Sequence, residues 1–483
     1  MRGVASLGAL FVMALAIRAR ADGSPPAPTD GRPQAQADAP SPAAPVAPAP
    51  AAPAPSLLPS DEAAGLHAEL ARQAASIDDL RASIAEERNE RERARESVAR
   101  VSAYVQVDWV IHNQSSQNQL NGSTGSPLNL DRFTLRRGHV RVEADHGLVS
   151  GALEIDANTT GGPQVRPIAA EGSLHWPEKA DERLPELRAT VGLTQIPFGF
   201  EVQELDNVRP FLERSTVLEA LFPGAFDLGA KLKVKYRFAN LAIGLMNGDP
   251  IGDKTFPDLD PSHAKDLVGR VGVDLEIVHG VRFVAGASAD TGTGFHPGTA
   301  ATKYVVVWQD QNGDGLVEPN ELTAVGGTAA TPSQEFHRFA IAGDARLLVS
   351  LPVLGDLAFR AEVVRALNLD RGLEVADPVA AGRDLRELGW YVGATQELTR
   401  FGQVGIRYDS YNPDSDASQQ RALLLVPVSR RYTTLALMAM LRYERARLVL
   451  EYDVNTNPLG ISASGAPTTL ADNALTLRTQ VSF

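Results

Sequence analysis

Asp227-Leu-Gly-Ala-Lys-Leu-Lys-Val-Lys-Tyr-Arg237 is the stretch whose reading decides the fold. Leu228, Ala230, Leu232, Val234 and Tyr236 alternate with Gly229, Lys231, Lys233, Lys235 and Arg237. Successive side chains of a β-strand point to opposite sides, so a period of two gives each set its own face. One face is apolar; the other carries a ladder of four cations. In a soluble sheet a lysine-striped face is an ordinary solvated surface, so this strand cannot choose alone. Its neighbours choose for it.

The same alternation recurs to the end of the sequence. Residues 101–113 set Ala103, Val105, Val107, Trp109 and Ile111 on one face. Residues 149–158 set Val149, Leu153, Ile155 and Ala157 against Glu154, Asp156 and Asn158. In residues 267–279, Leu267, Val271, Val273, Leu275 and Ile277 oppose Arg270, Asp274 and Glu276. In residues 447–455, Leu448, Leu450, Tyr452 and Val454 oppose Arg447, Glu451 and Asp453. The ionic faces hold both signs, and the apolar faces are smooth and aliphatic with Tyr and Trp near strand ends. That is the inside-out distribution of a barrel facing lipid. The pattern predicts an all-β transmembrane barrel over residues 101–483, of about sixteen antiparallel strands. They fall near 101–112, 131–147, 148–157, 168–176, 185–195, 227–237, 238–247, 267–278, 280–290, 335–350, 355–367, 386–398, 401–411, 429–444, 445–456 and 472–483. Connections alternate between tight turns, such as His279-Gly280, and long polar stretches, such as 291–334. In the last strand Leu475, Leu477, Thr479, Val481 and Phe483 share a face, and this resembles the terminal signature of outer-membrane barrels.

Composition agrees. The chain has 483 residues, no cysteine and a formal charge of −13, which exclude thiol chemistry and argue against nucleic acid as a partner. After Ile17 no apolar run approaches the roughly 20 residues of a transmembrane helix, and a spanning protein without one must be a barrel. Residues 1–21 read as an export signal: Arg2, an apolar region over 4–17, and Ala19-Arg-Ala21 as the cleavage site. Residues 22–60 hold twelve of the 32 prolines and read as a disordered spacer. Residues 61–100 carry a heptad seam of Ala63, Leu66, Leu70, Ile77, Leu80, Ile84, Ala94 and Val98, broken by Gln73, Glu87 and Arg91; they predict a short coiled coil in the periplasm.

Four ordered blocks resemble the phosphate-selective porin O and P family: Arg132-Phe-Thr-Leu-Arg-Arg137, Val191-Gly-Leu-Thr-Gln-Ile-Pro-Phe-Gly199, Phe211-Leu-Glu-Arg-Ser215 and Gly244-Leu-Met-Asn-Gly248. The resemblance implies an outer-membrane porin, a usual homotrimer, and a segment at 195–226 that folds inward as a constriction loop.

A channel attracting phosphate-like anions needs fixed cations along its wall, several shallow sites rather than one deep one. Lys231, Lys233, Lys235 and Arg237 meet that spacing. Arg136 and Arg137 match the double-arginine block, although within a regular strand only one of two neighbours faces the lumen. Arg209 and Arg214 lie in the expected constriction loop beside Glu201, Glu204, Asp206, Glu213 and Glu219, so ion pairing competes with an anion path. These assignments predict passive diffusion of small hydrophilic solutes across the outer membrane, with a preference for inorganic anions. The alternative is a structural anchor whose coiled coil reaches toward peptidoglycan. No catalytic motif occurs, and the nine histidines are scattered, so an enzyme is not expected. Residues 310–321 match the twelve-position EF-hand loop. Asp310, Asn312, Asp314, Glu318 and Glu321 stand at its oxygen positions, Leu316 offers its carbonyl, and Gly315 takes the turn, which predicts calcium binding at low affinity.

Overall fold

The computed structural model describes residues 99–112, 131–177, 183–254, 260–421, 423–461, 467–469 and 472–483. The expected export signal and spacer lie outside these residues, as does the coiled coil except for Ala99 and Arg100. Sixteen antiparallel strands close into one barrel, each bonded to its neighbours in sequence order. They are β1 Arg100–His112, β2 Asp131–His146, β3 Val149–Asn158, β4 Gln164–Trp176, β5 Glu186–Gln195, β6 Phe226–Tyr236, β7 Ala239–Met246, β8 Asp266–Val278, β9 Val281–His296, β10 Gln334–Leu351, β11 Gly355–Leu367, β12 Arg386–Glu397, β13 Gly402–Asn412, β14 Tyr432–Tyr443, β15 Ala446–Thr456 and β16 Ala474–Ser482. β1 closes the barrel on β16, from Tyr104 opposite Ser482 to His112 opposite Ala474.

All sixteen expected strands are present, and their ends differ for local reasons. β4 starts at Gln164 rather than 168 because Pro167, which reads as a breaker, sits beside a bulge: Glu154 pairs Ala169, Ile155 pairs Pro167, and Ile168 is the extra residue. β9 runs on to His296, its Thr/Gly-rich end pairing with β10 without any apolar alternation to announce it. The long connections also contain short ribbons: Tyr304–Trp308 reads as a strand in the sequence, and Val305–Trp308 pairs with Leu322–Val325.

The two faces of the wall behave as their chemistry demands. In β1, Val105, Val107 and Ile111 point outward and exposed while Tyr104, Gln106 and Asp108 are buried inside. In β6, Leu228, Leu232 and Tyr236 are exposed outward and Lys231 is buried inward. Aromatic side chains gather at both rims. Trp176, Tyr236, Phe238, Phe401, Tyr443 and Phe483 stand exposed at the short-turn end. At the other end Trp109 stacks on Phe133, centroids 6.0 Å apart, and Trp390 lies 5.6 Å from Tyr408. Amphipathic rings prefer the level where hydrocarbon meets water, so two such girdles mark the borders of an apolar belt.

Leu232 lies in the middle of that belt. Leu232→Arg is expected to destabilise the barrel by about 2–4 kcal/mol, whereas Lys235→Gln on the inner face changes stability little. Urea unfolding of the refolded barrels measures both.

Candidate functional site

Residues 196–225, between β5 and β6, turn into the lumen and cross it, as the family resemblance implied. Their sequence explains why. Ile196, Phe198, Val202, Val217, Leu218, Leu221 and Phe222 are too apolar for an aqueous loop, and all are at most 2% exposed. They pack on wall residues from β7 round to β14, among them Met246, Val268, Ala342, Val364, Tyr391, Tyr411 and Tyr432. Each large side chain so buried contributes about 1.5–3 kcal/mol, which together fastens the loop to that side of the barrel. Helix α1, Thr216–Leu221, supplies four of the loop's buried residues. Gly199 makes the inward turn possible: its φ is +56°, and a Cβ there would stand 2.0 Å from Glu362 Oε1. That carboxylate accepts from the amides of Phe200 at 3.3 Å and Glu201 at 3.2 Å, while the Gly199 amide donates to Ser288 Oγ at 3.0 Å.

The opposite edge of the loop is ionic and meets β1, β2, β13, β15 and β16. Arg136 and Arg137 both face inward, contrary to the expectation for a regular strand. β2 is bulged there: Gln106 pairs Arg137, Val107 pairs Leu135, and Arg136 is the extra residue. Both arginines reach Glu213 of the loop. Arg136 donates through Nε and Nη2, each at 2.8 Å, and Arg137 through Nη1 and Nη2 at 3.2 and 2.9 Å. Arg478 of β16 adds a third donor at 2.6 Å. Burial alone would raise the Glu213 carboxyl, but Arg136, Arg137 and Arg478 outweigh it and hold it well below the usual carboxylate range. Elsewhere along this edge Arg407 lies 3.4 Å from Glu201 and donates to the Glu213 carbonyl at 2.8 Å, and the Leu212 amide donates to Glu451 at 3.0 Å.

The remaining expected cations separate into two groups. Arg209 is 3% exposed, paired with Asp206 at 2.9 Å, and so braces the loop instead of lining a path. Arg214 donates to the Pro223 carbonyl at 2.9 Å and borders a cavity of about 320 Å³ on the long-loop side, with Arg136, Glu213 and Arg478. Arg237 does not extend the lysine ladder. It occupies the β6–β7 turn at φ +53°, its guanidinium 5.2 Å from the Tyr236 ring. Lys231 donates to the Gln195 carbonyl at 2.7 Å, at the root of the constriction loop. Lys231 and Lys233 border a second cavity, about 440 Å³, on the short-turn side with Tyr104, His139, Arg141 and Asp206. Lys233 stands directly opposite Arg188 in the β5–β6 register. Arg137 touches Glu213 of the first cavity and, at 3.1 Å, Asp206 of the second, so the narrows lie at these residues.

Arg478, Arg407 and Arg141 were not among the expected site residues. The parity of β16, with Leu477 and Thr479 outward, already placed Arg478 inward. Nothing local announced its bond to Glu213, a residue 265 positions away.

In the loop at 310–321, Asp310 accepts from the amides of Gly313 and Gly315 at 2.6 and 2.8 Å, and Asp314 from Leu316 at 2.7 Å. Gly315 has φ +71°. Glu321 accepts from Trp308 Nε1 at 3.0 Å and from the Gln311 amide at 2.9 Å. Among the described residues no three His, Asp or Glu side chains converge as a metal cluster.

No protein-family model and no curated protein matches the sequence. Solved structures do. The outer membrane channel DcaP of Acinetobacter baumannii is 11% identical, covering 80% of this chain and 97% of its own, with a TM-score of 0.49. The anion-selective porin from Comamonas acidovorans is 11% identical over 80% of this chain and 100% of its own, TM-score 0.48. The trimer form of OmpT, an outer membrane protein of Vibrio cholerae, is 8% identical over 80% and 99%, TM-score 0.45.

The depressed carboxyl of Glu213 sets a pH expectation. A group whose folded-state pKa is lowered stabilises fully above its unfolded value, about 4.3 for Glu, and loses that contribution only as pH falls through the folded value. The Glu213 contacts therefore persist at about pH 4. Hydrogen-exchange protection around residues 211–215, corrected for intrinsic rates, is expected to be the same at pH 7 and pH 4 and to fall only in stronger acid.

Proposed function

We propose that this chain is an outer-membrane porin through which small hydrophilic solutes diffuse passively, with a preference for anions such as phosphate. An apolar exterior between two aromatic girdles supports the membrane setting. One observation carries the preference: Lys233 has no hydrogen-bonded or ion-paired partner among the described residues and faces another cation, Arg188, across the register, while Lys235 next along the strand stands opposite Glu186. Like charges left unpaired in a wall are costly, and in a narrow aqueous passage they raise the local concentration of anions. The arginines nearest the narrows are neutralised by loop carboxylates, so the lysine strand carries the selectivity. The phosphate-selective family supplies the substrate class by resemblance of its four blocks; homotrimeric assembly and the periplasmic coiled coil belong to the same proposal.

Conductance of the purified protein in planar bilayers tests the porin reading, because a structural anchor need not conduct. For selectivity, Lys233→Glu with Lys235→Glu reverses four charge units while sparing Lys231, whose bond to the Gln195 carbonyl roots the loop. Reversal potentials under a KCl gradient are expected to shift toward cations, most at low salt where screening is weakest. An unchanged potential would assign selectivity to the loop.

Calcium binding at Asp310, Asn312, Asp314, Leu316, Glu318 and Glu321 is proposed on the order of donors and on the left-handed Gly315 at the sixth position. It requires Glu321 to leave the Trp308 indole. Calcium is therefore expected to change tryptophan fluorescence in the wild-type barrel and not in Asp310→Ala or Glu321→Ala. Identical responses in all three would remove the site.

A further inference from the structure

Three guanidiniums converging on one carboxylate make an oxyanion site that the chain fills with its own anion. We propose that Glu213 is an internal counter-ion occupying an oxyanion-binding site built by Arg136, Arg137 and Arg478, and that it holds the anion selectivity of the pore below what those arginines would give.

The geometry supports exchange of that anion. Glu213 receives five N–H donors between 2.6 and 3.2 Å, the planar, forked coordination that a phosphate or carboxylate solute would also take. Two of the three arginines have partners besides Glu213 that hold them in place. Arg478 is held by both oxygens of Asp108, each at 2.7 Å, and by the Leu212 carbonyl at 2.6 Å. Arg137 is held by Gln106 at 3.2 Å and Asp206 at 3.1 Å, whereas Arg136, the extra residue of the β2 bulge, has besides Glu213 only Thr160 Oγ1 at 3.4 Å. The Glu213 side chain is 28% exposed and borders the long-loop cavity, so a solute anion arriving from that side meets the cluster. The three arginines face three carboxylates, Glu213, Asp108 and Asp206, the last of them shared with Arg209. Neutralising Glu213 removes one negative charge from the cluster and leaves Arg136 without a carboxylate partner.

This rests on the porin reading, and the test separates the two. Full-length wild-type and Glu213→Gln barrels are titrated calorimetrically with inorganic phosphate at low salt, and placed in bilayers under a KCl gradient. Glu213→Gln is expected to bind phosphate about tenfold more tightly or better and to raise the chloride-to-potassium permeability ratio several-fold. Adding Arg137→Gln is expected to reverse both gains. A folded, conducting Glu213→Gln barrel with wild-type phosphate affinity and permeability ratio overturns the proposal. A wild-type barrel that does not conduct overturns the porin reading, while the calorimetry still decides the site. If Glu213→Gln does not assemble, Glu213→Asp carries the test: its shorter carboxylate cannot satisfy all three arginines, an intermediate gain in phosphate affinity is expected, and no gain overturns the proposal.

Discussion

Closure of β1 on β16 is the constraint on which everything else rests. A strand in hydrocarbon has no water to satisfy its amides and carbonyls, and each left unpaired costs several kcal/mol. The register from Tyr104–Ser482 to His112–Ala474 removes the last two edges. Once closed, the wall sorts its side chains by parity alone, apolar to lipid and ionic to the lumen. Such a wall encloses space without a side-chain core of its own.

The core is instead brought in by residues 196–225. The loop buries Phe198, Leu218, Leu221 and Phe222 against one side of the barrel and offers Asp206 and Glu213 to the other. The apolar contacts supply attachment; the ion pairs supply orientation, since a desolvated arginine–carboxylate fork tolerates little displacement. A polar lumen is thereby narrowed by a hydrophobic anchor that is itself buried against the wall.

Much of this was legible in the sequence because alternation is local. Every barrel strand was readable from period two, and so were the inward positions of Lys231, Lys233 and Lys235. What failed were features set by distant partners. Arg136 and Arg137 share the lumen because β1 and β2 slip by one residue at Gln106, which neither strand betrays alone. Arg209 looked like a channel cation and is a buried brace, because its acidic neighbours fold back on it. Arg237 continued the ladder on paper, but the chain reverses there with positive φ. The inward course of the constriction loop came from family resemblance; in hindsight its apolar residues, too many for an exposed loop, carried the same message.

An anchor on one side makes the aperture eccentric. The two cavities at the narrows are bordered by β1–β6 and by β13–β16, while the apolar face of the loop rests against the stretch from β7 to β14. The circumference thus has a bearing arc and a cavity-lining arc, which overlap at β13 and β14. Substitutions within the first bear on assembly and, under the proposed porin function, those within the second on permeation, although both lie on the same continuous sheet. A barrel so built can change the chemistry of its lumen by drift along one arc while the other keeps the fold.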